Sequence, residues 1–78
     1  MQIKILGSGC KKCIALEANA RTALATTGKQ AEIVKVTDIV QIAAHGVMST
    51  PALVINEQVI SSGKVLSPNE IEGILARY

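Results

Sequence analysis

The sequence predicts an α/β fold in the order β-α-β-α-β-β-α, built on a mixed four-stranded sheet with helices on both faces. Three observations carry that expectation. The alternating stretch MQIKIL stops at Gly7-Ser8-Gly9 and runs into a long segment of helical periodicity. A second aliphatic stretch, AEIVKV, follows that segment, and a strand-helix-strand unit of this kind makes its strands parallel neighbours through a right-handed crossover. Further along, two short apolar runs flank Asn56-Glu57, and Ser67-Pro68-Asn69-Glu70 opens a final capped helix.

The elements follow in order. Ile3 and Ile5 alternate with polar neighbours over residues 1–6, a strand entering a tight glycine turn. Over residues 11–27, Cys13, Leu16, Ala20, Leu24 and Thr27 recur at helical spacing, Glu17 and Arg21 form an i,i+4 pair, and Gly28 marks the stop. Residues 31–36 form the second strand, where adjacent Ile33 and Val34 imply burial on both faces. Thr37 or Asp38 can cap a short helix over residues 39–45 that Gly46 ends. Residues 52–55 and 59–61 make a hairpin around Asn56-Glu57, where glutamate is an awkward fit for a positive φ. The last helix has proline at its first position and puts Ile71, Ile74, Leu75 and Tyr78 on one face.

At 78 residues the chain is read as one domain over residues 1–78, near the small end for a domain. Hydrophobic residues make up 49% of it, yet Phe and Trp are absent and Tyr78 is the single aromatic. The core must therefore be aliphatic, and no aromatic platform exists for stacking bases. A net charge of +2, with no basic run longer than Lys11-Lys12, is too little for a nucleic-acid footprint. No apolar run approaches the ~20 residues of a membrane span, and MQIKIL does not read as a signal peptide. A cytoplasmic monomer without membrane or nucleic-acid partners is expected. In a reducing cytosol a close cysteine pair points to catalysis or metal binding rather than to a structural staple.

That pair lies in GSGCKKC. Cys10 falls at a helix start, where unpaired N–H groups and the positive end of the macrodipole favour a thiolate. Lys11 and Lys12 occupy a first turn that would ordinarily suit Asp or Glu, so they cost helix stability while favouring deprotonation of Cys10. Cys13 lies one turn further in and should be more covered. The spacing suits an exposed nucleophile at Cys10 and a resolving thiol at Cys13, but zinc half-sites share it, and two buried structural cysteines would also satisfy it. Pro51, in STPALVI, has no N–H to donate and opens a buried strand; either a trans bond or a cis bond fits that entry.

With C-x-x-C after the first strand, Thr50-Pro51 before the third and this order of elements, the whole chain resembles the thioredoxin superfamily. It is most similar to the small thioredoxin-like or glutaredoxin-like redox-active disulfide proteins. The resemblance implies a thioredoxin-like fold, Cys10 as attacking thiolate, Cys13 as resolving thiol and Pro51 as a cis-proline packed over the pair. It also implies that the backbone of Thr50 receives an extended substrate segment by strand addition. Ile14 and Met48 are expected to rim a shared shallow groove there. The chain departs from the family in four ways: Lys11-Lys12 stand between the cysteines, Lys4 occupies the position of the buried acid of thioredoxins, no tryptophan precedes Cys10, and Ser61-Ser62-Gly63 lacks the following acid that glutaredoxins use with glutathione.

Thiol–disulfide exchange with a protein disulfide is the function these features imply. The Cys10–Cys13 disulfide would need no other cofactor, and a dithiol-reducing partner such as a thioredoxin-reductase-like enzyme would restore the thiols. The rival is a soft-metal module binding copper or zinc through the same cysteines. His45 is the single additional imidazole it could recruit, and it reads as a solvated residue in the last turn of its helix. A binding module with incidental thiols is the third alternative. With one histidine and too few glycines before Cys10, neither a hydrolase triad nor a phosphate loop is supported.

Overall fold

The computed structural model describes residues 1–7 and 9–78, so Ser8 of the expected glycine turn lies outside the described residues. The period-2 pattern at the N-terminus becomes β1 (Gln2–Leu6), followed by α1 (Lys11–Thr27), β2 (Glu32–Val36) and α2 (Ile39–Ala44). The hairpin β3 (Ala52–Ile55) and β4 (Gln58–Ser62) and the helix α3 (Pro68–Leu75) complete the chain. Strand order is β2-β1-β3-β4, with β1 parallel to β2 and antiparallel to β3, and β3 antiparallel to β4. This is the thioredoxin-like α/β arrangement that the sequence predicts.

Side-chain alternation divides the core in two. Ile3 and Ile5 point to the same face as Leu53 and Ile55, where Leu16, Ala20, Ala23 and Leu24 of α1 and Ile71 and Leu75 of α3 cover them. Leu6, Val36, Ala52 and Val54 point to the other face, under Ile42 of α2 and Val47. Full burial of an aliphatic side chain of this size contributes ~1.5–3 kcal/mol. The central strand β3 is buried along its whole length, whereas Ile33 and Val34 on the edge strand β2 are half-buried, one against each core.

Helix ends explain why α1 and α3 stop and start where they do. Gly28 takes the left-handed conformation, φ 70°, at the C-terminus of α1. Ser67 and Glu70 form the reciprocal capping box at α3, a device worth about 1 kcal/mol. At α2 it is Asp38, rather than Thr37, that caps, and the helix ends one residue earlier than its periodicity suggests, with His45 as C-cap. Of the helix's residues Ile42 alone is buried, so six residues hold to the sheet through little more than one side chain.

The hairpin turn makes both Asn56 (φ 49°) and Glu57 (φ 68°) left-handed. Such a turn matches strand twist, and it is stabilised here from β1: Asn56 Oδ1 accepts from the Gln2 amide at 3.0 Å, and Lys4 Nζ meets Glu57 Oε1 at 2.7 Å. Hydrogen bonding to Lys4, and then its charge, hold the Glu57 carboxyl below its ordinary range. Backbone strain at Glu57 can be separated from the ion pair by substitution. Glu57→Ala and Glu57→Gly both lose the carboxylate, but the glycine variant should be the more stable by about 1 kcal/mol, the reverse of their order in a helix. Thermal unfolding of the two variants measures the difference.

Candidate functional site

The cysteine pair owes its arrangement to the junction of β1 and α1. Cys10 is the N-cap residue, with extended backbone angles, and its Sγ accepts the Cys13 amide N–H at 3.3 Å. Its carbonyl accepts the Ile14 N–H at 3.0 Å, closing the first helical bond. A thiol thus does what Ser or Asp does at an ordinary helix start. Cys10 is exposed and Cys13 is buried, and both are free thiols.

These positions set their acidities in opposite directions. Cys10 is lowered from the ordinary thiol range, first by the hydrogen bond from the Cys13 side chain and then by the Cys13 amide, with smaller help from the Lys12 amide. Cys13 is raised, first by burial and then because it donates to Cys10. Lys11 and Lys12 are exposed in a first turn that contains no acid; the largest contributions to the Cys10 shift come from Cys13, and the part Lys12 contributes is that of its backbone N–H. In alkylation by iodoacetamide across pH, Cys10 should react first, with its inflection below that of a free cysteine. Cys13 should inflect above it, and peptide mapping by mass spectrometry separates the two.

Sheet register brings the proline to the cysteines. Leu6 pairs with Ala52, so the residues just beyond them, Gly7 and Pro51, come alongside one another at the same end of the sheet. The Thr50–Pro51 peptide bond is cis, Pro51 is buried, and its carbonyl accepts the Gly63 N–H at 2.9 Å. Gly7 is itself buried, and its amide donates to Val36 O at 2.9 Å. A Cβ on Gly7 would collide with Cys13 Sγ and stand 3.8 Å from the Thr50 Cβ. The site is therefore assembled around a missing side chain, a requirement that sequence reasoning, which took Gly7 only as part of a turn, did not find.

One hollow borders the pair, and a second lies beside Thr50. The first, of about 40 Å³, lies against Gly7, Gly9, Cys13 and Ile14, with Glu17 and Lys35 at its margin. The other, of about 260 Å³, lies between α2 and the following loop and is lined by Ile39, Ile42, Ala43, Val47, Met48 and Thr50. Ile14 and Met48, expected to rim one groove, thus line different hollows, because Ile14 projects from α1 and Met48 from the loop after α2.

Lys4, the departure from the family's buried acid, and His45, expected to be solvated, meet one another. Lys4 stands between Val34 and Val54 in the sheet, on the α2 face, and its ammonium is tied to Glu57. His45 is half-buried rather than solvated: Nδ1 donates to Gln41 O at 2.8 Å, leaving Nε2 to accept from Lys4 Nζ at 3.4 Å. These bonds hold the imidazole on α2 beside β1. Among the described residues no cluster of three His, Cys, Asp or Glu side chains gathers into a metal site, and no helix is long and apolar enough to cross a membrane.

Comparisons with known proteins agree with this geometry. Residues 1–76 match the family model described as thioredoxin domain. A thioredoxin of Methanothermobacter thermautotrophicus is 38% identical over 76 residues, covering 97% of this chain and 99% of that protein. A thioredoxin of Methanocaldococcus jannaschii is 40% identical over 76 residues, covering 97% and 87%. A solved structure described as that of a malarial protein superposes with a TM-score of 0.70 at 16% identity, covering 97% of this chain and 93% of that one, a likeness of fold. The match along nearly the whole chain, together with the sheet order and the paired cysteines, makes this protein a member of the thioredoxin domain family.

Proposed function

We propose that the protein is a thiol–disulfide oxidoreductase acting on protein disulfides in the cytoplasm. The observation that carries this reading is the asymmetry of the pair: an exposed, acidified Cys10 at a helix N-cap, hydrogen-bonded to a buried, less acidic Cys13. In exchange, the Cys10 thiolate attacks one sulfur of the substrate disulfide, forming a mixed disulfide and releasing the first substrate thiolate. Cys13 then gives up its proton and attacks Cys10 Sγ, forming the Cys10–Cys13 disulfide and releasing the second substrate thiolate. Two electrons pass to the substrate, and its two thiolates take up protons.

The acidity difference suits this sequence. Cys10, whose acidity is raised, ionises before Cys13 and is the nucleophile, while Cys13, held up by burial, keeps its proton more tightly until the mixed disulfide has formed beside it. Pro51 would cover the pair and Thr50 would receive the substrate backbone, consistent with their position beside Gly7. The Cys10–Cys13 disulfide serves as the redox group without a further cofactor, and a thioredoxin-reductase-like dithiol donor returns it to the reduced state.

The test is a thiol count by mass spectrometry on metal-assayed protein equilibrated across dithiothreitol redox buffers. Reversible loss of both thiols together in metal-free protein is the expected result and fixes the potential of the couple. Protein that never forms the disulfide, and instead retains copper or zinc on its thiols, would make it a metal module.

A further inference from the structure

From the charges and apolar surface around Cys10, we infer that the preferred substrate is an extended protein segment with acidic residues beside its disulfide and an aliphatic residue nearby. This rests on the exchange reading above and adds the class of substrate to it.

Exposed lysines gather beside the nucleophile. Lys11 and Lys12 are exposed next to the nucleophile, and exposed Lys64 follows Gly63, whose amide is bonded to Pro51 O. Among the described residues none of these three lysines makes an ion pair, whereas Lys4, Arg21 and Lys35 are all paired. Of the carboxylates near this end, Asp38 caps α2 through the Val40 amide at 2.8 Å, and Glu17 is shared by Arg21 and Lys35. Glu32 and Glu57 belong to the other end of the sheet, where β2 begins and β3 turns into β4. Lys11 and Lys12 thus stand beside Cys10 without ion-pair partners among the described residues, and an acidic segment complements them, chiefly by raising the rate of productive encounter.

The apolar part lies on the neighbouring hollow. Met48 is 99% exposed, Ile39 78% and Val40 73%, on a helix and loop that end at Thr50. The hollow of about 260 Å³ that Ile39 and Met48 line has room for one aliphatic side chain and includes Thr50 itself. A segment passing from Cys10 across Thr50 can therefore set such a side chain into it. A second copy of this chain would fit less well, since it would bring Lys11 and Lys12 against their own counterparts.

The experiment compares reduction of short disulfide peptides that differ only in the residues flanking the cysteines: Asp and Glu in one, Asn and Gln in the other, each with leucine or serine at a nearby position. Hydroxyethyl disulfide serves as a small neutral substrate, with dithiothreitol as donor. At low salt the acidic peptide should show a kcat/KM about three- to tenfold above its amide counterpart, the range two exposed charge pairs supply. That advantage should vanish in 1 M salt, where screening acts over about 3 Å, and in Lys11→Gln/Lys12→Gln. The leucine peptide should outpace the serine peptide in the wild type and lose its lead in Met48→Ser. Equal rates for acidic and amide peptides, with the small disulfide still turned over, would overturn the inference while exchange stands. An acidic advantage that persists in Lys11→Gln/Lys12→Gln would overturn the assignment to these lysines. Failure to reduce any of the disulfides would remove the exchange reading itself.

Discussion

Replacing Cys10 by serine is expected to abolish disulfide reduction, with a loss of roughly three orders of magnitude or more, the scale on which deleting a nucleophile acts. A serine hydroxyl can still cap α1 by accepting the amide of residue 13, so folding should be retained while the attacking thiolate is gone. Cys13→Ser should behave differently. Cys10 keeps the amide bond at its sulfur, attacks as before, and stops at the mixed disulfide because nothing resolves it. Intact-mass spectrometry under non-reducing conditions should find that adduct accumulating in Cys13→Ser and absent from Cys10→Ser. Turnover retained in Cys10→Ser would eliminate the mechanism.

Gly7→Ala is the second substitution with a large expected effect, and it replaces neither cysteine. The new methyl would occupy space held by Cys13 Sγ, and also approach Cys13 Cβ to 3.3 Å. Neither side can easily give way: Cys13 is short and buried, and the Gly7 amide is held by Val36 O. Overpacking of this kind costs ~1–3 kcal/mol. The variant should unfold at lower denaturant and resolve mixed disulfides more slowly. Adding Cys13→Ala removes the sulfur the methyl strikes, so the double variant should be more stable than the sum of the two single losses predicts. Additive losses would mean that Gly7 serves the turn alone. Urea unfolding of the four proteins completes that cycle.

These two positions illustrate what sequence reasoning could reach. Cys10 and Cys13 are legible because their chemistry is written within one helical turn, and α1 itself because 17 residues of helical periodicity end at a glycine. The parallel pairing of β1 with β2 follows from the crossover between them. Gly7 is not legible in the same way, since the atom that forbids a side chain there comes from the next element and the reason is contact, not turn geometry. Lys4 could be recognised as departing from the family's acid, but its ties to Glu57 and His45 join residues 53 and 41 positions away in sequence. The hairpin was located by its flanking strands even though Glu57 argued against its turn; a lysine reaching from β1 compensates for the awkward residue. Separation of Ile14 from Met48 depends on where α2 leaves the sheet, and no local pattern encodes that.

The aliphatic core also decides how this molecule can be watched. Without tryptophan or phenylalanine, Tyr78 is the sole aromatic chromophore, and its hydroxyl donates to Gln58 Oε1 at 2.9 Å. Gln58 adjoins the turn that bonds the start of β1, while Cys10 follows the end of β1, a separation on the order of 15 Å along the strand. Tyrosine emission should therefore signal when α3 detaches from β4 and stay silent as the cysteines change oxidation state. Unfolding and redox chemistry, which a tryptophan beside the active cysteine would entangle in one optical signal, are separable observables in this protein.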